Sequence, residues 1–588
     1  MEQELKNYIA KALQELYSIT TIEVTIEPTK SDFVGDYTFV VFSILKQSKK
    51  SPEQTATQIG EYVKDKLTLV ADFNVIKGFL NITIKTSYWV DFLQQNYTNV
   101  HYGYAISNSK QKILVEYSSP NTNKPLHLGH VRNNLLGFSI AQILKASGYQ
   151  VGTCNLVNDR GIHICKSMYA WMQFGNGETP ESTGIKGDHL VGKYYVAFDK
   201  QYKAEQQQLV AKGMTEAEAE KKAPSILAAQ QLLQKWEAGD AETVAVWKTM
   251  NSWVYKGFDS TYEKLGVSFD QYYYESNTYL LGKEIVQEGL AASIFFTKQD
   301  GSVWIDLTSD GLDEKLLLRG DGTSVYITQD IGTAELKYND FGCERSIYVV
   351  GNEQDYHFKV LQLICKKLNK PYADGIYHLR YGMVELPNGK MKSREGTVVD
   401  ADDLIDGMID AAADTTKALG KTEGLTDIEL KQLYYTIGMG ALKYFLLKVD
   451  PRKKMLFNPE ESIDFQGNTG PFIQYTYARI HSILRNTPFT EMVFNLTIQF
   501  NEAEKKLVQL AYRYPEIIDN AASELSPGLL ANYIYELAKA FSSFYHECPI
   551  MKEQDLQKRE IRLQLCAIAG NIIKSGFELL GIQVPKKM

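Results

Sequence analysis

The spacing of apolar positions changes period several times along the chain, and each change marks an element. Ile113-Leu114-Val115 is a short unbroken apolar run, apolar residues then recur at helical spacing from Leu128 to Ala146, and Val151–Val157 is again extended in character. This predicts strand, helix and strand over Ile113–Tyr117, Leu128–Ala146 and Val151–Val157, with Gly148 placed for the left-handed cap that ends such a helix. A second set begins near Lys315: strand Ser324–Ile327, helix from Gly332, strand Ser346–Val350, helix His357–Leu368 and a strand near Leu379–Val384. Strands alternating with helices predict a parallel sheet with helices on its faces, spanning 109–400 and interrupted by an insertion at about 175–308. Within that insertion Gln201–Ala241, rich in Ala, Glu, Lys and Gln, predicts exposed helix. Residues 1–108 predict a smaller α/β unit, with helices Glu4–Tyr17 and Pro52–Leu67 beside strands Tyr37–Phe42 and Gly78–Lys85, closed by the polar tract Ile106–Gln111. From Asp402 the pattern is helical throughout, dividing into a connecting region, 401–468, and an all-α bundle, 469–588, whose helix Leu529–Phe544 has an aromatic face.

Length and composition agree with several soluble domains. At 588 residues the chain exceeds what one core organises, and 44% hydrophobic with 23% charged residues is globular composition. No window approaches the roughly 18 consecutive apolar residues of a membrane span. Met1-Glu2-Gln3-Glu4-Leu5-Lys6 opens an acidic amphipathic helix without secretory or transit character, so a cytoplasmic protein is expected. Six scattered cysteines with no CxxC pair predict reduced, buried thiols and no zinc site; His163 and Cys165 lack a second pair of ligands. The net charge of −8 does not favour a nucleic-acid partner, yet binding depends on local patches, and Gln466–Met588 carries 13 Lys/Arg against 12 Asp/Glu.

The chemistry concentrates in Ser118-Ser119-Pro120-Asn121-Thr122-Asn123-Lys124-Pro125-Leu126-His127-Leu128-Gly129-His130. Between a strand and a helix, this places His127 and His130 on one side of a helix N-terminus, where free N–H groups and the dipole favour phosphate. Gly129 between them lets a flat or charged ligand approach the backbone. The stretch resembles the HIGH signature of class I aminoacyl-tRNA synthetases, and Gly389-Lys390-Met391-Lys392-Ser393-Arg394-Glu395-Gly396 resembles the basic KMSKS loop of that class, in the same order along the chain. Glu116, Asp330 and Gln354 sit at strand ends that converge on one crevice of a doubly wound sheet, and two carboxylates with an amide suit a guanidinium.

At finer grain, Glu116-Tyr117-Ser118-Ser119-Pro120-Asn121, Gly322-Thr323-Ser324-Val325-Tyr326-Ile327-Thr328-Gln329-Asp330 and Gln354 with His357-Phe358 resemble three segments of the arginyl-tRNA synthetases. The resemblance implies a multidomain α/β protein: a Rossmann-like class I catalytic domain with helical insertions, an N-terminal additional domain and a C-terminal all-α DALR-type anticodon-binding bundle. It implies arginine contacts from Glu116 and Asn121 at the α-amino and carboxylate end, and from Tyr326, Asp330 and Gln354 at the guanidinium. It implies ATP contacts from His127, Gly129, His130, Lys390, Met391 and Ser393, with His127, His130, Lys124, Lys390 and Lys392 offsetting phosphate charge. Phe79 and Asn81 fall where the family meets the tRNA D-loop, and Tyr475, Tyr477 and Tyr545 are candidates to stack on anticodon bases. Core packing is the alternative for each tyrosine and for Tyr326, an ion pair for Glu116, a helix cap for Asp330 and a solvated loop for Gln354. The implied partners are tRNA(Arg), L-arginine and ATP with Mg²⁺, and no membrane; a monomer is expected. The chain departs from the pattern at Ser393, which stands where the second KMSKS lysine belongs; Lys124 or Lys392 is the candidate substitute. Asn158-Asp159-Arg160-Gly161-Ile162-His163 follows its family segment in part, leaving Asp159 and His163 without an assigned role. Two other readings are a small-molecule nucleotidyltransferase and a non-enzymatic RNA-binding protein; the first leaves the terminal domains unexplained and the second leaves the paired signatures unused.

Overall fold

A computed structural model describes residues 1–588 except 31, 108, 386–398, 421–423, 491–493 and 495–497. Contacts group the chain into two compact units, one of 1–99, 484–512 and 540–569, the other of 100–483, 513–539 and 570–588. The first unit opens with helices α1 (Glu2–Tyr17) and α2 (Pro52–Lys66) against strands β1 (Tyr37–Val40), β2 (Val70–Ile76) and β3 (Phe79–Ile84). The antiparallel order is β1-β3-β2, with Glu27–Pro28 at the edge beyond β1. Ser51 starts α2 through a reciprocal capping box with Gln54. β1 stops at Val40, short of the expected Phe42, because Phe42–Ile44 turns into a 3₁₀ helix. The unit's helical part ties back to this sheet through the buried Asp36, whose carboxylate accepts from Ile84 N (2.6 Å), Lys505 Nζ (2.8 Å) and Gln509 Nε2.

The second unit is built on strands β4 (Lys110–Glu116), β5 (Tyr149–Val157) and β6 (Gln271–Tyr274), with helix α3 (Leu128–Ala146) crossing between the first two. The insertion after β5 contributes α4 (Ile162–Phe174), α5 (Gly187–Ala211) and α6 (Ala241–Leu265); after β6 come α7 (Glu275–Thr278) and α8 (Gly282–Ala291). A small antiparallel sheet, β7 (Phe295–Thr297), β8 (Val303–Ile305) and β9 (Lys315–Leu318), precedes α9 (Tyr326–Phe341), β10 (Arg345–Gly351), α10 (Asp355–Lys367) and β11 (Gly375–Tyr381). The main sheet is parallel throughout in the order β11-β10-β4-β5-β6. Its strand order reverses between β4 and β10, and their carboxyl ends open the crevice expected of such a sheet. β12 (Val384–Glu385) and β13 (Met455–Leu456) pair beyond this sheet, and α11 (Ala401–Ala418) and α12 (Asp427–Leu447) lie between them in sequence.

One sequence expectation fails inside this region. Ser324–Ile327 is not a strand: Val325 is extended, Gly322 turns at φ 77°, and α9 begins at Tyr326. Val325 and Ile327 alternate as in a strand, but Ile327, Ile331 and Ala334 are buried at helical spacing. Asp330 therefore lies in the second turn of a helix and is not its N-cap. The six cysteines are free and buried, and no helix among the described residues is long and apolar enough to cross a membrane.

Candidate active site

His127 is the N-cap of α3, with extended backbone at φ −134°. Its Nδ1 accepts from Gly129 N (3.1 Å), while His127 N donates to His130 Nδ1 (3.3 Å), a capping box built from two imidazoles. The rings lie 3.9 Å apart, and a Cβ on Gly129 would stand 3.0 Å from His127 Cε1, so glycine is what lets the first ring fold back. Burial and the Lys124 charge depress the His127 pKa to about 4 and hold His130 well below its usual range. Both rings are thus neutral at pH 7, and because each Nδ1 accepts, each remaining proton is on Nε2. Two N–H donors stand at the positive end of a 19-residue helix.

The chain that follows the basic segment meets this turn. Leu128 N donates to Val399 O and Ala401 N to Leu126 O, both at 2.9 Å, and His127 bridges Asp400. Gly389–Gly396, with Lys390, Met391, Lys392 and Ser393, lies outside the described residues. Lys124 precedes the turn on a half-buried loop packed against Gly192 of α5, where a Cβ would meet Pro125 Cδ at 2.9 Å.

The loop after β4 is strained, with Ser118 and Ser119 consecutively at φ 78° and 45°. Asn133 Oδ1 accepts from Ser118 N (2.6 Å) and Asn155 Oδ1 from Ser119 N (3.0 Å), holding the loop in that shape. Asn133 Nδ2 also donates to Val349 O (2.7 Å), so α3 joins the ends of β4 and β10 across the crevice. Asn121 is exposed at the lip, its backbone bridging Asn158.

The amino-acid residues separate. Asp330 is half-buried and accepts from His357 Nε2 at 2.5 Å, bringing α9 against α10 three residues beyond the exposed Gln354. Tyr326 is 77% exposed, which removes core packing as its role. Glu116 requires correction: it is buried, and its carboxylate is taken by Lys337 of α9 while accepting from Cys154 Sγ (3.7 Å). The ion-pair alternative describes it, because a buried carboxylate needs a fixed countercharge. Asn81 is likewise 0% exposed, its amide used by Thr38 Oγ1 (2.7 Å) and Asn74 Oδ1 (3.0 Å) within the sheet, so its side chain is not a surface contact. Phe79 is half-buried beside the exposed Phe42, with ring centroids 5.7 Å apart. Tyr475 and Tyr477 are half-buried, whereas Tyr545 is 38% exposed and stacks on Phe541.

Glu275 is among the residues that escaped the sequence reading. Asp159, left without a role, is the organiser of α7: it accepts from Ser276 N (2.8 Å), Ser276 Oγ (2.7 Å) and Tyr255 OH (2.8 Å). This presents Glu275, whose carboxyl burial raises to about 7, with Asp159 and Asp330 adding to the rise against Arg160. No periodicity marks Glu275; an acidic residue next to a helix start was its one signal. His163 hydrogen-bonds Tyr195 OH at 3.0 Å. Asp188, His189 and Asp402 lie close enough to share a cation, but Lys186 Nζ sits 2.6 Å from Asp402 Oδ2 and 3.1 Å from Asp188 Oδ2. An ammonium already occupies that position, so the group does not fit Mg²⁺.

A neutral imidazole pair at a helix N-terminus, at the switch point of a parallel sheet, is the arrangement expected of a class I aminoacyl-tRNA synthetase, and residues 93–458 match the family "tRNA synthetases class I (R), catalytic domain". Residues 3–84 match "Arginyl tRNA synthetase N terminal domain" and 473–588 "DALR anticodon binding domain". The chain is 54% identical to arginine–tRNA ligase of Bacteroides thetaiotaomicron over 595 residues and 54% to that of Flavobacterium psychrophilum over 600, covering 100% of each chain. The fold matches Thermus thermophilus arginyl-tRNA synthetase with a TM-score of 0.80 at 23% identity, covering 100% of both chains. The chain belongs to the arginyl-tRNA synthetase family.

Proposed function

We propose that the crevice between β4 and β10 attaches L-arginine to tRNA(Arg) in two steps, supplying arginine for protein synthesis. The arginine carboxylate attacks the α-phosphorus of ATP in line, the bond to pyrophosphate breaks, and arginyl-adenylate forms. The terminal ribose hydroxyl of tRNA(Arg) then attacks the adenylate carbonyl, releasing AMP. The chain needs no protein nucleophile, because positioning and charge offset lower both barriers. His127 and His130 donate Nε2–H to phosphate oxygens, Gly129 admits the nucleotide to the helix end, and Lys124, Lys390 and Lys392 offset charge on the pyrophosphate, with Met391 and Ser393 beside the nucleotide. Mg²⁺ accompanies ATP in this reading as the counter-ion of its phosphates.

Asp330 takes the guanidinium with Tyr326 and Gln354, Glu275 adds a second carboxylate, and Asn121 holds the α-amino and carboxylate end. Glu116 makes no arginine contact, because its carboxylate is committed to Lys337. Phe79, Tyr475, Tyr477 and Tyr545 are the RNA contacts, of which Tyr545 is the most exposed. The same reading makes the protein a cytoplasmic monomer, and a dimer mass in solution, against 66.6 kDa for one chain, would remove the second half of that statement.

The observation that carries the reading is the pair of Nδ1 atoms committed to backbone N–H groups, which leaves two oriented Nε2–H donors at one helix end. ATP–pyrophosphate exchange tests it: exchange should require arginine, should not be supported by lysine, and should be assayed with and without tRNA. No arginine-dependent exchange even with tRNA present would sink the proposal.

A further inference from the structure

Arg132 lies on α3 five residues beyond His127 and is 0% exposed. Its partners are four backbone carbonyls: Nη1 donates to Gly382 O (2.8 Å), and Nη2 to Lys453 O (3.1 Å), Pro451 O (3.2 Å) and Asp450 O (3.3 Å). A buried guanidinium is costly unless its donors are satisfied in fixed directions, so these carbonyls must be held in register for the charge to stay there. They are: Gly382 N donates to Pro451 O (2.9 Å), Met455 N to Met383 O (3.1 Å), and β12 pairs with β13 through Val384–Met455 and Glu385–Leu456. The fit is tight, since a Cβ on Gly382 would meet Lys453 C and O at 2.5 Å.

The position of this ribbon gives it meaning. The chain leaves β12 at Glu385, passes through the segment that contains Lys390 and Lys392, and returns at Val399, which is bonded to Leu128. The entry point hangs on Arg132 and the return point on the backbone of Leu126 and Leu128. Both ends of the basic segment are therefore fastened to the first turns of the helix that carries the histidines.

We propose that Arg132 is a positioning residue for amino-acid activation: it fixes the β12–β13 ribbon, and hence the entry of the basic segment, relative to His127 and His130. The proposal rests on the reading above that Lys390 and Lys392 act on ATP phosphates. It concerns the first chemical step, because the transfer to tRNA has no pyrophosphate to neutralise.

Two variants approach the contact from opposite sides. Arg132→Lys keeps the charge, but one ammonium cannot span Gly382 and the 450–453 turn together. Gly382→Ala keeps Arg132 and drives a methyl into the Lys453 backbone, moving the acceptors. Each should lower kcat of arginine-dependent ATP–pyrophosphate exchange about 10- to 100-fold with the arginine KM within about twofold, as expected when a group is misplaced by roughly an ångström. Single-turnover transfer from synthetic arginyl-adenylate to tRNA should be unchanged, and the double variant should be no slower than the slower single one. Should one variant fail to fold, the other decides. Wild-type exchange in the folded variant overturns the proposal, and so does an equal loss in activation and transfer, which would mark a merely structural arginine. Absence of exchange in the wild-type protein would instead sink the reading of the site itself.

Discussion

His127 and His130 each give Nδ1 to a backbone N–H, and this fixes what their other nitrogen offers a ligand. The flanking charge is the next question at this scale. If Lys124 replaces the lysine missing at Ser393, Lys124→Ala should lower kcat of adenylate formation about 10²- to 10³-fold, in the range seen when one preorganised donor is removed. Lys392→Ala should be milder, and the reverse ranking in exchange assays would give the role to the basic segment. Asp330→Asn keeps shape but loses the charge in a hydrogen bond worth about 1.5–3 kcal/mol, so the arginine KM should rise roughly 10- to 150-fold with ATP binding little altered. Glu275 has a proton to lose near pH 7, and a guanidinium beside it favours the ionised form. Arginine binding should then weaken as pH falls from 8 to 6, and Glu275→Gln should flatten that dependence; a profile unchanged by the substitution would place Glu275 outside the site. The placing of His127 and His130 at a helix start was legible because a short motif holds them. Glu275, Arg132 and Lys337 were not, because their roles come from partners distant in sequence, 250 to 321 residues away for Arg132, that local pattern does not encode.

Among elements, α3 was read from sequence with the boundaries it has, since its start is set by His127 and its end by Gly148 at φ 92°. Of the parallel strands, β4, β5 and β10 were legible as short apolar runs between turn residues, whereas β6, Gln271–Tyr274, was not: three tyrosines inside the expected insertion carry no apolar run. α9 was not, because its first turn reads as an alternating strand and becomes a helix through tertiary burial of Ile327, Ile331 and Ala334. That helix also supplies Lys337, fully committed to Glu116 at the end of β4, with burial opposed by the carboxylate, which raises the lysine's pKa. Lys337→Met should cost about 3–5 kcal/mol, the penalty for stranding one partner of a buried pair. Chemical denaturation measures this, and a loss below about 1 kcal/mol, the size of an exposed pair, would show that the pair is solvated in solution.

For the whole molecule, acid sensitivity follows from the same neutral imidazoles. The folded pKa of His127, about 4, lies below the unfolded value of 6.5, so the unfolded chain binds more protons between the two. This contribution is present above pH 6.5, is lost progressively as pH falls toward 4, and levels off below. Thermal melts of the wild type and His127→Asn from pH 7 to 4.5 should converge on acidification; parallel curves would mean that the ring is protonated in the folded state.

The union of 1–99 with 484–512 and 540–569 has a consequence for how the chain is born. Asp36 leaves the ribosome early, but Gln509 follows 473 residues later, roughly 25–95 s at ordinary elongation rates. For that interval a carboxylate destined for the interior waits without its lysine and amide, in a unit whose segments 484–512 and 540–569 are not yet made. The amino-terminal hundred residues should therefore be the stretch most dependent on chaperones while translation continues. Stalled nascent chains ending before residue 500 should show them more open to protease than chains released whole.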